Sequence, residues 1–173
     1  MPKRELPPFE YGRVRLRLLR EGDLPLTRGW RNQDHIRRWF FSSDVLSPEQ
    51  HQNWFDQYQE RDDDFTFIIE EVQANYRPVG QVALYHVDWP ARRAEFGRLM
   101  IGEADAAGKG LALSATQAAL RLAFDFLALE EVYLEVYDSN QKAIKIYEAV
   151  GFRTTATSPE SITMSTVKAG LPK

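Results

Sequence analysis

Arg98-Leu99-Met100-Ile101-Gly102-Glu103-Ala104-Asp105-Ala106-Ala107-Gly108-Lys109-Gly110-Leu111-Ala112 is the stretch that decides the fold. It joins an apolar strand, a loop holding Gly108 and Gly110, and the helix-rich run that starts at Leu111. A helix start carries unpaired N–H groups and a partial positive charge. Glycines let backbone come close to a ligand. Together these suit a pyrophosphate. The loop has no Gly-Lys-Ser/Thr and no third glycine, so neither the NTPase phosphate loop nor the dinucleotide fingerprint fits.

Downstream, Leu111, Ala115, Ala118, Leu122 and Phe126 recur at helical spacing, which predicts a helix over 111–127 with one face on a sheet. A strand over 132–136 follows, then a helix over 140–150 closed by Gly151, then late strands at Phe152 and 162–167. Upstream, strands at 65–71, 79–87 and 94–101 form an antiparallel meander. Ser47 and Gln50 have capping-box spacing and open a helix to about Glu60. Asp23 and Pro25 open another, reaching Trp30 and continuing past Asn32 toward Trp39. Val14, Leu16 and Leu18 alternate with Arg13, Arg15 and Arg17 in a first strand. The order is β, α, α, three strands, α, β, α, β, β: a mixed α/β layer fold on one central sheet. Residues 1–12 read as an extended lead-in, 13–168 as the domain and 169–173 as a tail.

The chain has 173 residues, the size of one domain, and ten Phe, seven Tyr and four Trp to fill a core. Its net charge of -3 gives no support to nonspecific nucleic-acid binding. Residues 1–40 nevertheless hold ten Lys/Arg against five Asp/Glu, a basic wall for an anionic ligand or plain solvated surface. The absence of cysteine excludes disulfides, Cys-ligated zinc and a Cys nucleophile, and no metal site is expected. No apolar run has the length of a membrane span and the N-terminus has no signal-peptide core, so the expected location is cytoplasmic.

The segment Asp105-Ala-Ala-Gly108-Lys-Gly110 resembles the acetyl-CoA loop of the GNAT superfamily of N-acetyltransferases, usually Gln/Arg-x-x-Gly-x-Gly/Ala. A second signature, Asn140, Ala143, Tyr147 and Gly151-Phe152, begins thirty positions after Gly110. The resemblance covers roughly residues 13–168. It implies the GNAT fold: a mostly antiparallel sheet of six to seven strands, splayed in the middle and flanked by about four helices. It implies acetyl-CoA as co-substrate, with no metal, and direct transfer to an amine in a ternary complex. Asp105 departs from the pattern, and its carboxylate is expected to point away from the phosphates.

By the same resemblance, Leu99, Met100 and Ile101 hold the pantetheine arm through their backbone. Ala107, Gly108, Lys109, Gly110, Leu111 and Ala112 line the pyrophosphate. Asn140 hydrogen-bonds the arm or caps its helix, and Ala143 lies beside it. Tyr147 assists the leaving thiolate. Glu95 is the first candidate for the base that leaves the amine neutral; His35, His51, His86 and Asp88 are weaker ones, and solvent is another.

Trp30-Arg31-Asn32, a helix carrying His51 and Trp54, and Glu95-Phe96-Gly97 resemble nucleotide-linked amino-sugar N-acetyltransferases of the pseudaminic-acid type. That likeness makes Trp30, Arg31, Asn32, His51 and Trp54 the expected substrate contacts; the alternative is that they are core and surface residues. Polyamine, aminoglycoside and ribosomal-protein N-terminal acetyltransferases are the second reading, since Arg92-Arg93-Ala94-Glu95-Phe96 is similar to a strand of some polyamine enzymes. The arginines of the first helices speak against a polycation. A reading of another class is an acetyl-CoA-binding sensor module without activity. An open sheet edge would allow a homodimer.

Overall fold

In the computed structural model, residues 2–172 are described. Met1 and Lys173, the ends of the expected lead-in and tail, lie outside them. Eight strands form one sheet in the order β1-β2-β3-β4-β5-β6-β8-β7. They are β1 (Phe9–Tyr11), β2 (Val14–Leu18), β3 (Asp64–Glu71), β4 (Arg77–Asp88), β5 (Arg93–Ile101), β6 (Glu131–Tyr137), β7 (Arg153–Thr157) and β8 (Ser161–Val167). The helices are α1 (Leu24–Arg31), α2 (Asp34–Arg37), α3 (Pro48–Gln59), α4 (Leu111–Arg121) and α5 (Gln141–Val150).

The sheet has more strands than the six to seven expected. One arises in the supposed lead-in, where Phe9 pairs with Leu16 and Tyr11 with Val14. The prolines at 2, 7 and 8 give the segment the look of an extended lead-in, yet none of them lies inside this strand, so its ladder can form.

Every pairing is antiparallel except β5 with β6, which is parallel and covers only Arg93–Glu95 against Glu131–Tyr133. Beyond Glu95 the two strands part, so the sheet is splayed at its centre. β3 is buried along its whole length, and its side chains alternate between two apolar layers. Phe67 and Ile69 join Leu111, Ala115, Leu120, Tyr147 and Phe152 on the side of α4 and α5. Ile68 joins Leu24, Trp30, Ile36, Phe55, Tyr58 and Met100 on the other side.

The capping box at Ser47 forms as the sequence implies: Gln50 N–H donates to Ser47 Oγ at 3.1 Å and Ser47 N–H to Gln50 Oε1 at 2.9 Å. Asp23 does not cap α1 through its side chain. Its carboxylate accepts from Arg20 N–H and pairs with Arg17 instead. The long helix over 111–127 is also different in detail. After Arg121 it becomes a π-helical turn, Leu122–Phe126, with Leu127 N–H donating to the Leu122 carbonyl at 2.9 Å. The wider turn breaks the 3.6-residue phase. Phe126, expected on the buried stripe, is 51% exposed, while Ala123 and Phe124 are buried.

Candidate active site

Gly108 and Gly110 both adopt left-handed backbone, φ +76° and +78°, where a side chain would be strained. Gly110 sits at the head of α4 with no side-chain cap. The first hydrogen bond of the helix runs from Ser114 N–H to the Gly110 carbonyl at 3.1 Å. The amides of Leu111, Ala112 and Leu113 therefore have no acceptor among the described residues. They open into a cavity of about 810 Å³ lined by Ala107, Gly108, Gly110, Leu111 and Ala112. Such a set of donors at a helix N-terminus suits linked phosphates. Arg13, from the turn before β2, donates to the Lys109 carbonyl and steadies the loop. Lys109 itself does not line the cavity; its ammonium lies 3.9 Å from Glu71. Asp105 is turned away as expected and pairs with Arg77 at 2.9 Å.

The cavity continues into the gap between β5 and β6. Leu99, Met100 and Ile101 form one wall, and Leu134 and Val136 the facing one. Backbone that has lost its neighbouring strand there is free to pair with an extended ligand. Asn140 and Ala143 line the same passage. The Asn140 side-chain oxygen accepts from Ala143 N–H at 3.4 Å, which caps α5 and leaves the amide nitrogen for a ligand.

Tyr147, on α5, also lines the cavity. Phe96 and Phe152 meet it edge-on, each with centroids 5.7 Å away. The ring is buried, and burial raises the phenol well above its ordinary pKa. Its hydroxyl has no hydrogen-bond partner among the described residues. It remains a protonated donor throughout the neutral range.

Glu95 lies on the cavity wall at the end of the β5–β6 pairing. Tyr85 hydroxyl donates to its Oε2 at 3.1 Å, and His86 Nδ1 lies 2.8 Å from its Oε1. Arg98 lies over the Tyr85 ring at 4.2 Å and forms a forked pair with Asp64 at 2.7 and 3.1 Å. Burial, with the Glu95 charge, raises the Tyr85 phenol. One further part of the wall is aromatic and apolar, Ile36, Trp39, Phe40 and Phe41 with His35 beside them, and Glu135, Lys142 and Lys145 also line the cavity. Phe41 packs on Tyr137 of β6, centroids 4.4 Å apart. Sequence reasoning missed Ile36, Phe40, Phe41, Tyr85 and Arg98. The aromatic run Trp39-Phe40-Phe41 was the one local signal for this wall.

The structure does not bring Trp30, Arg31, Asn32, His51 and Trp54 to the cavity wall. Trp30 is a core residue: its indole donates to Glu103 at 2.6 Å, and a Cβ on Gly102 would fall 2.0 Å from its ring. Arg31 lies over Phe40 at 4.1 Å and donates to the Ser42 carbonyl. Asn32 clamps Leu46, donating to its carbonyl and accepting from its N–H, both at 2.8 Å. His51 is buried against Thr27 Oγ1 at 2.9 Å, and burial lowers its pKa to about 4. Trp54 stacks between His51 and Tyr58. These residues shape the α1–α3 layer from within. Among the described residues no cluster could hold a metal ion, and no helix is long and apolar enough to cross a membrane.

Comparison with known proteins gives a matching reading. The acetyltransferase (GNAT) domain family matches residues 13–153. A spermidine N(1)-acetyltransferase of Vibrio cholerae is 30% identical over 79% of this chain and 77% of its own length. One of Escherichia coli K12 is 30% identical over 80% of this chain and 72% of its own. The fold also superimposes on the crystal structure of a spermidine N-acetyltransferase from Vibrio cholerae in complex with CoA and spermine. The TM-score is 0.84 at 24% identity, covering 91% of this chain and 97% of that one. The relatives named here are polyamine enzymes, so the expectation of a nucleotide-linked amino sugar finds no support among them.

Proposed function

We propose that this chain, which belongs to the acetyltransferase (GNAT) family, acetylates a primary amine of a small polyamine. Acetyl-CoA is its co-substrate and supplies an acetyl group activated as a thioester. The reading of a sensor module without activity falls away with the family and its enzyme relatives.

The acceptor is argued from two sides. Three relatives at 30% identity are all spermidine enzymes. The objection from the arginines of the first helices also loses its force. Arg31 is engaged with Ser42 and Phe40, Arg37 with Asp34 and the Ser43 carbonyl, and Arg38 with Trp39. None of the three lines the cavity, whereas the carboxylates of Glu95 and Glu135 do. Arg98, Lys142 and Lys145 line it too, Arg98 paired with Asp64 and the two lysines exposed on α5. At Glu95 and the aromatic wall a polycation meets a carboxylate and ring faces, which suit ammonium and methylene groups respectively.

In this proposal the amides of 111–113 bind the diphosphate, and the open edge of β5 orients the pantetheine arm. Glu95 accepts a proton from the acceptor ammonium, which restores its lone pair. Tyr147 donates a hydrogen bond, then a proton, to the departing sulfur. Phe96 and Phe152 keep water from the phenol. No group of the protein is acylated, because the amine and thioester meet directly. The carrying observation is that Glu95 and Tyr147, on different elements, line one cavity that also contains the uncapped head of α4.

The test is thiol release from acetyl-CoA with spermidine, spermine, a UDP-amino sugar, an aminoglycoside and a peptide amine. Spermidine or spermine should give the highest kcat/KM. Turnover of the amino sugar with none for either polyamine would overturn the acceptor assignment.

A further inference from the structure

Tyr85 and His86 are consecutive on β4, yet both reach the carboxylate of Glu95. In a regular strand neighbouring side chains point to opposite faces. Here β4 carries a bulge: Tyr85 faces Glu95 and Asp88 faces Arg93, so three steps on β4 oppose two on β5. His86 takes the left-handed conformation at φ +49°, a backbone state uncommon for a residue with a side chain. Bulges of this kind re-aim side chains beside functional sites. The outcome is a carboxylate with each oxygen engaged differently. Oε2 meets the half-buried phenol of Tyr85, while Oε1 meets an imidazole whose side chain is 60% exposed, against 19% for Glu95.

We propose that His86 is a relay residue which passes the acceptor's proton from Glu95 to solvent. The proposal rests on Glu95 being the base. The ammonium N–H bond breaks and an O–H bond forms on Glu95. In the resting state Nδ1–H donates to the Glu95 carboxylate. Once Glu95 is protonated, the exposed ring exchanges with solvent to its Nε2–H tautomer, Nδ1 accepts the Glu95 proton, and the Nε2 proton leaves to water or buffer. One proton enters and one leaves, no charge accumulates beside the cavity, and the Nδ1–H resting tautomer is restored. Tyr85 cannot take this part, because burial and the Glu95 charge raise its phenol and keep it protonated. The other charged and titratable groups around the pair are Arg98 over Tyr85, Arg93 over Tyr133, Tyr133 opposite Glu95, and Asp88.

His86→Asn and His86→Gly separate relay from support. Asn tolerates left-handed backbone and can still hydrogen-bond Glu95, but it cannot titrate. Gly tolerates the backbone and leaves room for a small base. Turnover is measured at low buffer concentration, with and without added imidazole, alongside Glu95→Gln, and with melting curves to confirm folding. Both His86 variants should lose about tenfold or more in turnover, and imidazole should restore His86→Gly. Full activity in His86→Asn with loss only in His86→Gly would reduce His86 to a support for Glu95 and overturn the relay. Normal rates in both variants, with Glu95→Gln inactive, would overturn the relay alone. Normal rates in Glu95→Gln would overturn the base assignment itself.

Discussion

Phe96 meets the ring of Tyr147 edge-on, centroids 5.7 Å apart, and so ties the phenol of α5 to the strand residue next to Glu95. The acid and the base of the proposed reaction are thus positioned by one short segment of β5. Adjacent strand residues point to opposite faces, so Phe96 reaches the α5 side while Glu95 faces Tyr85. The two faces communicate only because β5 and β6 stop pairing at this point.

Removing the phenol oxygen should separate chemistry from packing. In Tyr147→Phe the ring contacts with Phe96 and Phe152 remain, and no hydrogen bond within the described residues is lost. Turnover should fall at least about tenfold, a transition-state loss of about 1.4 kcal/mol, with the melting temperature nearly unchanged. Thiol release and a melting curve on the same preparation check this. Near-normal turnover would remove Tyr147 from the mechanism.

Gly110→Asp places a carboxylate at the head of α4 on left-handed backbone. Its Cβ would lie 3.4 Å from the guanidinium of Arg13, an ordinary contact, and the left-handed backbone adds strain that Asp bears better than most residues, so a melting curve on the variant accompanies the binding measurement. The Kd for acetyl-CoA should rise strongly, because bulk and negative charge then face the diphosphate. Calorimetry on the folded variant measures it. Unchanged binding would refute the loop assignment.

His51 should make stability depend on pH. Burial holds its folded pKa at about 4, below the ordinary 6.5. The unfolded chain therefore takes up a proton that the folded chain refuses. Stability is undiminished above pH 6.5 and declines as the pH falls from there toward about 4. Urea midpoints at pH 7 and pH 5 should differ, and the difference should shrink in His51→Gln. An equal loss in both proteins would assign the effect to other groups.

Asp64→Ala should destabilise the fold through Arg98. The carboxylate is nearly buried and receives two bonds from the guanidinium. Its removal leaves the charge with only Thr66 Oγ1 and aromatic faces. A loss on the order of 2–3 kcal/mol is expected in denaturant unfolding. Arg98 also braces Tyr85, so the KM for the acceptor should rise. A change below about 0.5 kcal/mol would show that the pair is solvated.

The elements legible in the sequence were those with strong local signals. The box at Ser47, the glycines before Leu111, and Asn140 with Gly151 each state their backbone geometry within a few residues. What escaped notice depends on partners distant in sequence. β1 exists because Phe9 finds Leu16, and the π-helical turn after Arg121 has no composition that marks it. The bulges at His86 and Arg98 likewise appear only through strand register. For the site, the backbone motifs name residues that, apart from Lys109, gather around one cavity. The expected acceptor residues do not gather there, because Trp30, Asn32 and His51 have side chains equally suited to ligands and to internal clamps. Only their contacts with Glu103, Leu46 and Thr27 decide between the two.

The most direct measurement is a crystal structure of the protein with CoA and spermidine. The diphosphate should lie on the amides of residues 111–113, and a primary amine should sit within hydrogen-bond reach of Glu95 with the CoA sulfur beside the Tyr147 hydroxyl. CoA bound away from α4, or spermidine bound only outside the cavity, would contradict this.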